Sequence, residues 1–78
     1  MEELVRSIVT ALVDAPDRVI VTSTQKLEGT LLTVSVDPRD AGLIIGKRGY
    51  VIRAIRQLAS VIANRQNSRV FVDIVPLE

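Results

Sequence analysis

Apolar residues recur with a helical period near the start of the chain. They stand three or four residues apart, at Leu4, Val5, Ile8, Ala11 and Leu12. This spacing places them on one face and predicts an amphipathic helix over residues 3–14. Pro16 ends the helix, because its ring restricts the preceding residue and its nitrogen has no hydrogen to donate.

Two segments rich in β-branched residues follow, at residues 18–24 and 30–36. Both predict β-strands, and residues 25–29 between them, which end in Gly29, predict a turn. In the second segment, every other residue belongs to one apolar face, formed by Leu32, Val34 and Val36. The two strands are therefore expected to pair as an antiparallel hairpin.

The second half of the chain predicts two helices and a final strand. Asp37 and Pro38 mark a helix start, with Asp37 as the N-cap and Asp40 able to close the cap as glutamate does in a capping box. This helix is short, because two glycines interrupt it. A longer helix is predicted over residues 50–63, and a strand over residues 69–75. The apolar stripe of the longer helix is Val51, Ile52, Ile55, Leu58, Ala59 and Ile62.

The predicted order is thus α-β-β-α-α-β over a single domain, residues 1–78. A hairpin followed by two helices and a returning strand gives one three-stranded sheet. The sheet should be mixed, because the last strand returns through helices rather than a tight turn. The expected fold class is α+β, a two-layer sandwich with the helices on one face of the sheet.

The composition argues against an enzyme. The chain has no histidine and no cysteine, which excludes thiol nucleophiles, Ser-His triads and the usual zinc sites. No pair of carboxylates is placed for acid–base catalysis, so neither a cofactor nor a small-molecule substrate is expected. The acidic N-terminus, the lack of cysteine and the absence of a long apolar run favour a cytoplasmic protein that does not enter a membrane.

Charge is distributed unevenly along the chain, although the net charge is only +1. Residues 1–46 contain four basic and seven acidic residues, whereas residues 47–78 contain six basic and two acidic ones. The six basic residues all fall within residues 47–69, a stretch without a carboxylate. This asymmetry indicates either an electropositive face for an anionic partner or an ordinary solvated helix face.

The segment between the two central helices is Gly46-Lys47-Arg48-Gly49. Glycines let a backbone turn sharply and approach a ligand, and the start of the next helix attracts anions. A phosphate backbone suits such a loop. In isolation the pattern fits a helix that ends at a glycine, with cations near its negative end, better than a phosphate site, because glycines are common at helix ends.

The sequence Ile-Ile-Gly-Lys-Arg-Gly between two helices resembles the signature of KH domains, and the element order resembles their type II arrangement. The similarity covers nearly the whole chain, and residues 34–42 are also similar to the stand-alone bacterial KH proteins of the KhpA (YlqC) family. The resemblance implies a nucleic-acid groove beside the loop. The RNA-binding residues that it implies are Gly46, Lys47, Arg48, Gly49, Ile44, Ile45, Arg53, Arg56 and Arg69.

These residues are expected to have different roles. The loop contacts phosphates and sugars, and one of Ile44 and Ile45 lies under the bases while the other enters the core. Arg53 and Arg56 flank the groove, although Arg56 fits a solvated helix face equally well. Arg69 lies on the strand opposite, whose outward face the sequence does not define.

The function implied by the resemblance is binding of single-stranded RNA by a non-enzymatic, chaperone-like factor. Resemblance to this family further implies a homodimer, or a heterodimer with another KH-containing protein. Two alternatives stay open. One is a protein-interaction module that uses exposed apolar residues, with Val9, Leu31 and Val61 as candidates. The other is binding of single-stranded DNA, because no reader of the 2′-hydroxyl can be identified.

Overall fold

Three α-helices and three β-strands account for most of residues 1–77, the part of the chain that the computed structural model describes. In chain order they are α1 (Glu2–Leu12), β1 (Ile20–Lys26), β2 (Gly29–Val36), α2 (Pro38–Ile45), α3 (Tyr50–Arg65) and β3 (Val70–Pro76). Short 3-10 turns occupy Pro16–Arg18 and Lys47–Gly49. The predicted α-β-β-α-α-β order is confirmed.

The sheet has the order β1-β2-β3, with β2 in the centre. β1 and β2 are antiparallel, from the pair Ile20–Ser35 to the pair Lys26–Gly29. β2 and β3 are parallel, from the pair Thr30–Val70 to the pair Val36–Pro76. The prediction of a mixed sheet is therefore confirmed, and the parallel pair follows from the return through α2 and α3.

The helices cover one face of the sheet, as predicted for a two-layer α+β sandwich. α1 packs against β1, whereas α2 and α3 pack against β3. The core between the layers contains Val34, Val36 and Ile44, all without exposed surface. The other face of the sheet carries exposed side chains such as Ile20 and Phe71. None of the helices within residues 1–77 has the length and apolar composition needed to cross a bilayer.

The buried stripe of α1 differs from the predicted one. Val5 and Val9 are its fully buried residues, while Leu4 and Leu12 are 38% and 43% exposed. The expectation that Val9 is a surface residue was therefore wrong. Residues four apart stay on one helix face, so Val5 and Val9 both point to the sheet and Leu4 is turned toward its rim.

The two aspartates at the start of α2 have separate partners. Asp37 is the N-cap, and its carboxylate accepts from the backbone nitrogen of Arg39 at 2.9 Å. Asp40 does not close a capping box, contrary to the prediction. It is buried, and its carboxylate accepts from the backbone nitrogens of Asp14 at 3.2 Å and Ala15 at 3.1 Å. Asp40 thus fixes the chain that leaves α1 against the first turn of α2.

Candidate nucleic-acid interface

The loop between α2 and α3 is a tight turn built from residues with positive φ. The nitrogen of Gly46 donates to the carbonyl of Gly42 at 2.9 Å and so ends α2. The nitrogen of Gly49 then donates to the carbonyl of Gly46 at 3.1 Å. Gly46, Arg48 and Gly49 have φ values of 76°, 57° and 75°. The chain therefore passes from α2 to α3 within four residues.

The two glycines of this loop are required for different reasons. A Cβ at Gly46 would lie 2.5 Å from Cγ2 of Val51 and 2.9 Å from the Val51 nitrogen. The first turn of α3 thus approaches Gly46 too closely for any side chain. A Cβ at Gly49 would have no neighbour nearer than 4.0 Å, so only its left-handed backbone favours glycine there.

Lys47 and Arg48 extend from the tip of the loop into solvent. Both are exposed, and no carboxylate among residues 1–77 lies within 4.0 Å of either charged group. The loop leads directly into α3, whose N-terminal end carries the positive end of the helix dipole. Two exposed cations and a helix start therefore face the same solvent region, an arrangement suited to phosphate groups.

Arg53 contacts the loop itself. Its Nε donates to the carbonyl of Gly49 at 3.3 Å, and one terminal nitrogen donates to the carbonyl of Arg48 at 2.9 Å. The guanidinium also lies over the ring of Tyr50, 4.9 Å from the ring centre. Arg53 is thus engaged in holding the loop, a contact that its expected place beside the groove did not include.

The isoleucine pair that precedes the loop is divided between core and surface. Ile44 has no exposed surface and belongs to the core, whereas Ile45 is 44% exposed. Ile44 can support the loop only from beneath. Within the pair, Ile45 is the side chain that a ligand can reach.

Arg56 and Arg69 lie away from the loop, around a cavity of about 410 Å³ between α3 and β3. The Nε of Arg56 donates to the carbonyl of Val72 at 2.9 Å, and its terminal nitrogen lies 3.5 Å from the carboxylate of Asp73. The cavity is lined by Arg56, Ser60, Ala63, Asn64, Arg69, Val70, Phe71, Val72 and Asp73. The predicted site residues therefore form two groups along α3, one at the loop and one at this cavity.

Arg39, at the start of α2, is an example of a cation that is already paired. Its Nε lies 3.2 Å from the carboxylate of Asp37. Hydrogen bonds from the side chain and the backbone nitrogen of Arg39 lower the pKa of Asp37, and the same carboxylate raises the pKa of Arg39. Arg39 is thus less available to an anionic ligand than Lys47 or Arg48.

Comparison with known proteins identifies the family of this arrangement. Residues 2–74 match the family model described as KhpA/KhpB, KH domain. The chain belongs to the KhpA/KhpB KH-domain family. The matched residues of this KhpA/KhpB domain include α1, β1, β2, the loop and most of β3, which confirms the family expected from the sequence.

Full-length relatives within the KhpA/KhpB family have similar sequences. The RNA-binding protein KhpA of Caldanaerobacter subterraneus subsp. tengcongensis is 40% identical over 75 residues, which cover 96% of this chain and 100% of the relative. The RNA-binding protein KhpA of Clostridium acetobutylicum is 37% identical with the same coverage. That of Halalkalibacterium halodurans is 39% identical, covering 96% of this chain and 99% of the relative. These relatives are named as RNA-binding proteins, which agrees with the prediction that the chain is not an enzyme.

Most residues that line the α3–β3 cavity were not among the RNA-binding residues predicted for this KhpA/KhpB domain, and Phe71 and Asp73 are two of them. Phe71 and Asp73 line the cavity beside the predicted Arg56. Strand alternation shows that both share a face, but not whether that face meets the helices or solvent. The buried Val72 between them decides this, and its burial depends on the parallel pairing with β2.

Proposed function

We propose that the protein binds single-stranded RNA through the Gly46–Gly49 loop and the surface that continues along α3. The observation that carries this proposal is the pair of exposed cations Lys47 and Arg48, just before α3, which have no carboxylate of residues 1–77 within 4.0 Å. Relatives that match along their whole length are named RNA-binding proteins. The loop lies within residues 2–74, the part of this chain that matches the family model.

The loop offers backbone contacts rather than base stacking. KH modules hold about four backbone nucleotides at a GxxG loop and leave the bases accessible for reading. One module of this kind binds weakly, and its affinity depends on salt. If three phosphates are neutralised, the slope of log K against log salt is roughly −2.

We also propose that the protein works as a dimer, first of all with a second copy of this chain. A groove of about 350 Å³ between α1 and α3 has an almost entirely apolar lining, formed by Ile8, Leu12, Tyr50, Val51, Ala54, Ile55 and Leu58. Joining two such domains places two weak RNA sites on one particle, and the second contact then forms at a high effective concentration. Such a dimer suits a general, chaperone-like RNA-binding factor. Pairing with another KH-containing protein would use the same groove.

The test of RNA binding is fluorescence anisotropy of a short unstructured RNA with wild type and with Lys47→Asp/Arg48→Asp. We expect the loop variant to lose binding, because it places two negative charges where phosphates lie. Arg6→Asp/Arg18→Asp makes the same change in net charge on the N-terminal half of the chain and should retain binding. Thermal melting curves establish that each variant is folded.

Equal binding by the loop variant and wild type would contradict the proposal. A DNA oligonucleotide of matched sequence and length tests the alternative of single-stranded DNA, which predicts equal or tighter binding of the deoxy strand.

The apolar groove between α1 and α3 favours one alternative function, a module for protein assembly. Under that alternative, the Lys47→Asp/Arg48→Asp variant keeps its partner or its dimeric state, and wild type does not bind RNA. Light scattering coupled to size-exclusion chromatography measures the dimeric state of both proteins. Leu58→Lys, which introduces a charge into the groove, should convert a dimer to a monomer.

A further inference from the structure

We propose that the outer edge of β1 is a second interface between copies of this chain, in which β1 pairs antiparallel with β1 of another copy about Ser23. This interface is separate from the α1–α3 groove and from the RNA-binding surface, and it depends on neither. The pairing joins two three-stranded sheets into one continuous sheet.

β1 is an edge strand that lacks the usual protection against pairing. Within residues 1–77, the sheet order β1-β2-β3 leaves one side of β1 without a neighbouring strand. Edge strands are commonly protected by proline, charged side chains, a bulge or a covering element. Residues 20–25 contain no proline and no charge, and their pairing with β2 continues to Lys26 without a bulge. Every residue of β1 except Val21 is exposed, so another strand can reach the edge.

The hydrogen bonds of β2 define which backbone groups of β1 face outward. The nitrogen of Thr30 donates to the carbonyl of Arg69 at 2.9 Å, so the backbone groups of Thr30 are directed to β3 and not to β1. The partner of Thr30 on β1 is Gln25, whose N–H and C=O consequently face away from β2. Backbone groups alternate along an antiparallel strand, so those of Ser23 and Val21 face away as well. Each of these residues presents one donor and one acceptor at the edge.

One register satisfies all of these groups at once. In a hydrogen-bonded antiparallel pair, the two opposing residues exchange both backbone bonds. With Ser23 opposite Ser23 of the other copy, Val21 lies opposite Gln25 and Gln25 opposite Val21. A shift by two residues in either direction places Val21 or Gln25 opposite a residue outside β1. The register is also symmetric about Ser23, as the two-fold axis of an isologous interface requires.

The side chains in and around β1 agree with this register. Thr22 lies opposite Thr24 of the other copy, and threonine pairs across strands are favourable. Arg18 and Glu28 flank β1 at equal distances from Ser23. Antiparallel pairing therefore brings charges of opposite sign together at both ends, whereas parallel pairing would bring like charges together.

The helix layer leaves space for the second copy. Val21 is 5% exposed, whereas Ser23 and Gln25, which share its face of the strand, are exposed. The helix layer therefore covers the beginning of β1 and not its centre. Two copies related by an axis at Ser23 can thus carry their helices on the same face of the joined sheet. β3 forms the opposite edge of the sheet, so the pairing leaves the α3–β3 cavity open.

The edge and the α1–α3 groove are different surfaces, so together they would join dimers into larger assemblies. A contact made by one strand of each copy is small, and small interfaces are typical of weak association. We therefore expect the edge contact at higher protein concentration than the groove dimer.

Disulfide cross-linking tests the register directly, since the chain has no cysteine of its own. The Cα atoms of a hydrogen-bonded antiparallel pair lie about 5.5 Å apart, within the range of a disulfide. At high protein concentration, we expect Ser23→Cys to form a covalent dimer under mild oxidation. Gln25→Cys is the matched control at the same edge. Its two copies are displaced by about 14 Å along the strands, and it should remain without a cross-link.

Equal cross-linking of the two cysteine variants, or none in Ser23→Cys, would overturn the proposal. Thermal melting curves establish that both variants are folded.

Two double variants test the pairing without a cross-link. Thr22→Lys/Thr24→Lys places like charges opposite each other in this register and should abolish association through the edge. Thr22→Lys/Thr24→Glu places opposite charges face to face and should retain it. Both variants also carry Leu58→Lys, so that the groove does not contribute. Sedimentation velocity over a range of protein concentrations measures the association.

The same degree of association in the two double variants would contradict the register. The result does not depend on the proposed RNA binding or on the groove dimer. Lys47 and Arg48 are unchanged in every variant, and Leu58→Lys has no effect on association if the groove is not an interface.

Discussion

The guanidinium of Arg53 donates to the carbonyl oxygen of Arg48 at 2.9 Å, five residues back in the loop that precedes α3. Arg48 is in the left-handed region, with φ 57° and ψ 23°, which costs a residue with a side chain about 1–2 kcal/mol. The hydrogen bond to its carbonyl offsets part of that cost. Arg53 therefore helps to hold the loop backbone at Arg48 and Gly49.

We expect Arg53→Lys to weaken RNA binding although it keeps the charge. A lysine cannot bond the Arg48 and Gly49 carbonyls through a planar fork. The loss of one such bond is worth about 1 kcal/mol, or roughly fivefold in Kd. Anisotropy titrations over a range of salt concentrations measure both the Kd and its salt slope.

The salt slope of Arg53→Lys should equal that of wild type, because no charge is lost. Two results together would show that Arg53 contacts a phosphate directly and that the proposed role in positioning is wrong. Arg53→Lys would bind RNA as tightly as wild type, and Arg53→Gln would have a smaller salt slope.

The two loop glycines should respond differently to alanine. Gly46→Ala places a Cβ within 3 Å of Val51, including its backbone nitrogen, so α3 must shift and the protein should be strongly destabilised. Gly49→Ala meets open space and should lose only about 1–2 kcal/mol from its left-handed backbone. Urea unfolding measures both free energies. Equal losses in the two variants would be inconsistent with the close approach of α3 to Gly46.

Asp40→Ala should destabilise the fold without changing the conformation of the Gly46–Gly49 loop. The substitution leaves the backbone nitrogens of Asp14 and Ala15 without their acceptor, at a cost of about 1–3 kcal/mol. For a domain of this size, the melting temperature should fall by roughly 4–8 °C for each kcal/mol. Asp40→Asn keeps an acceptor oxygen and serves as the control, with a smaller loss. A melting temperature unchanged in Asp40→Ala would contradict the structural role of this carboxylate.

The stabilisation from Asp37 should disappear in acid. The bonds from Arg39 lower the pKa of Asp37 in the folded protein, so its charge stabilises the fold above the unfolded pKa of about 3.9. That contribution is lost as pH falls through the lowered folded value. Asp37→Asn retains an N-cap residue but not the charge. Wild type should melt higher than this variant at pH 7, and the difference should shrink as the pH falls through the lowered folded pKa. A difference that is constant with pH would rule out the ionic contribution.

The order of the elements was predictable because local signals define it. Asp37 and Pro38 start α2, the two glycines end it, and the long apolar period of α3 is continuous. The mixed sheet followed from the connection between β2 and β3. The details of α1 were not predictable, since both Leu4 and Val5 fit a helical stripe and only the docking on β1 decides which one is buried.

Contacts between residues far apart in the chain could not be predicted from the sequence either. Asp40 is three residues after an N-cap, which favours a local capping role, but its partners lie 25 and 26 residues away. The orientation of Phe71 depends in the same way on the register of β3 against β2. In both cases the decisive contact joins residues that are far apart in the chain, and no local sequence pattern indicates such a contact.

The parallel pairing of β2 with β3 has a consequence for how the protein is made. Thr30 pairs with Val70, forty residues later, whereas the β1–β2 hairpin closes within a few residues. On the ribosome, α1 and the hairpin are synthesised first, and one side of β2 then lacks its neighbour until residues 70–76 have left the exit tunnel. Contacts this distant in sequence slow folding and leave a strand edge open to other chains. The nascent domain is thus most exposed to aggregation in the interval before its last strand appears.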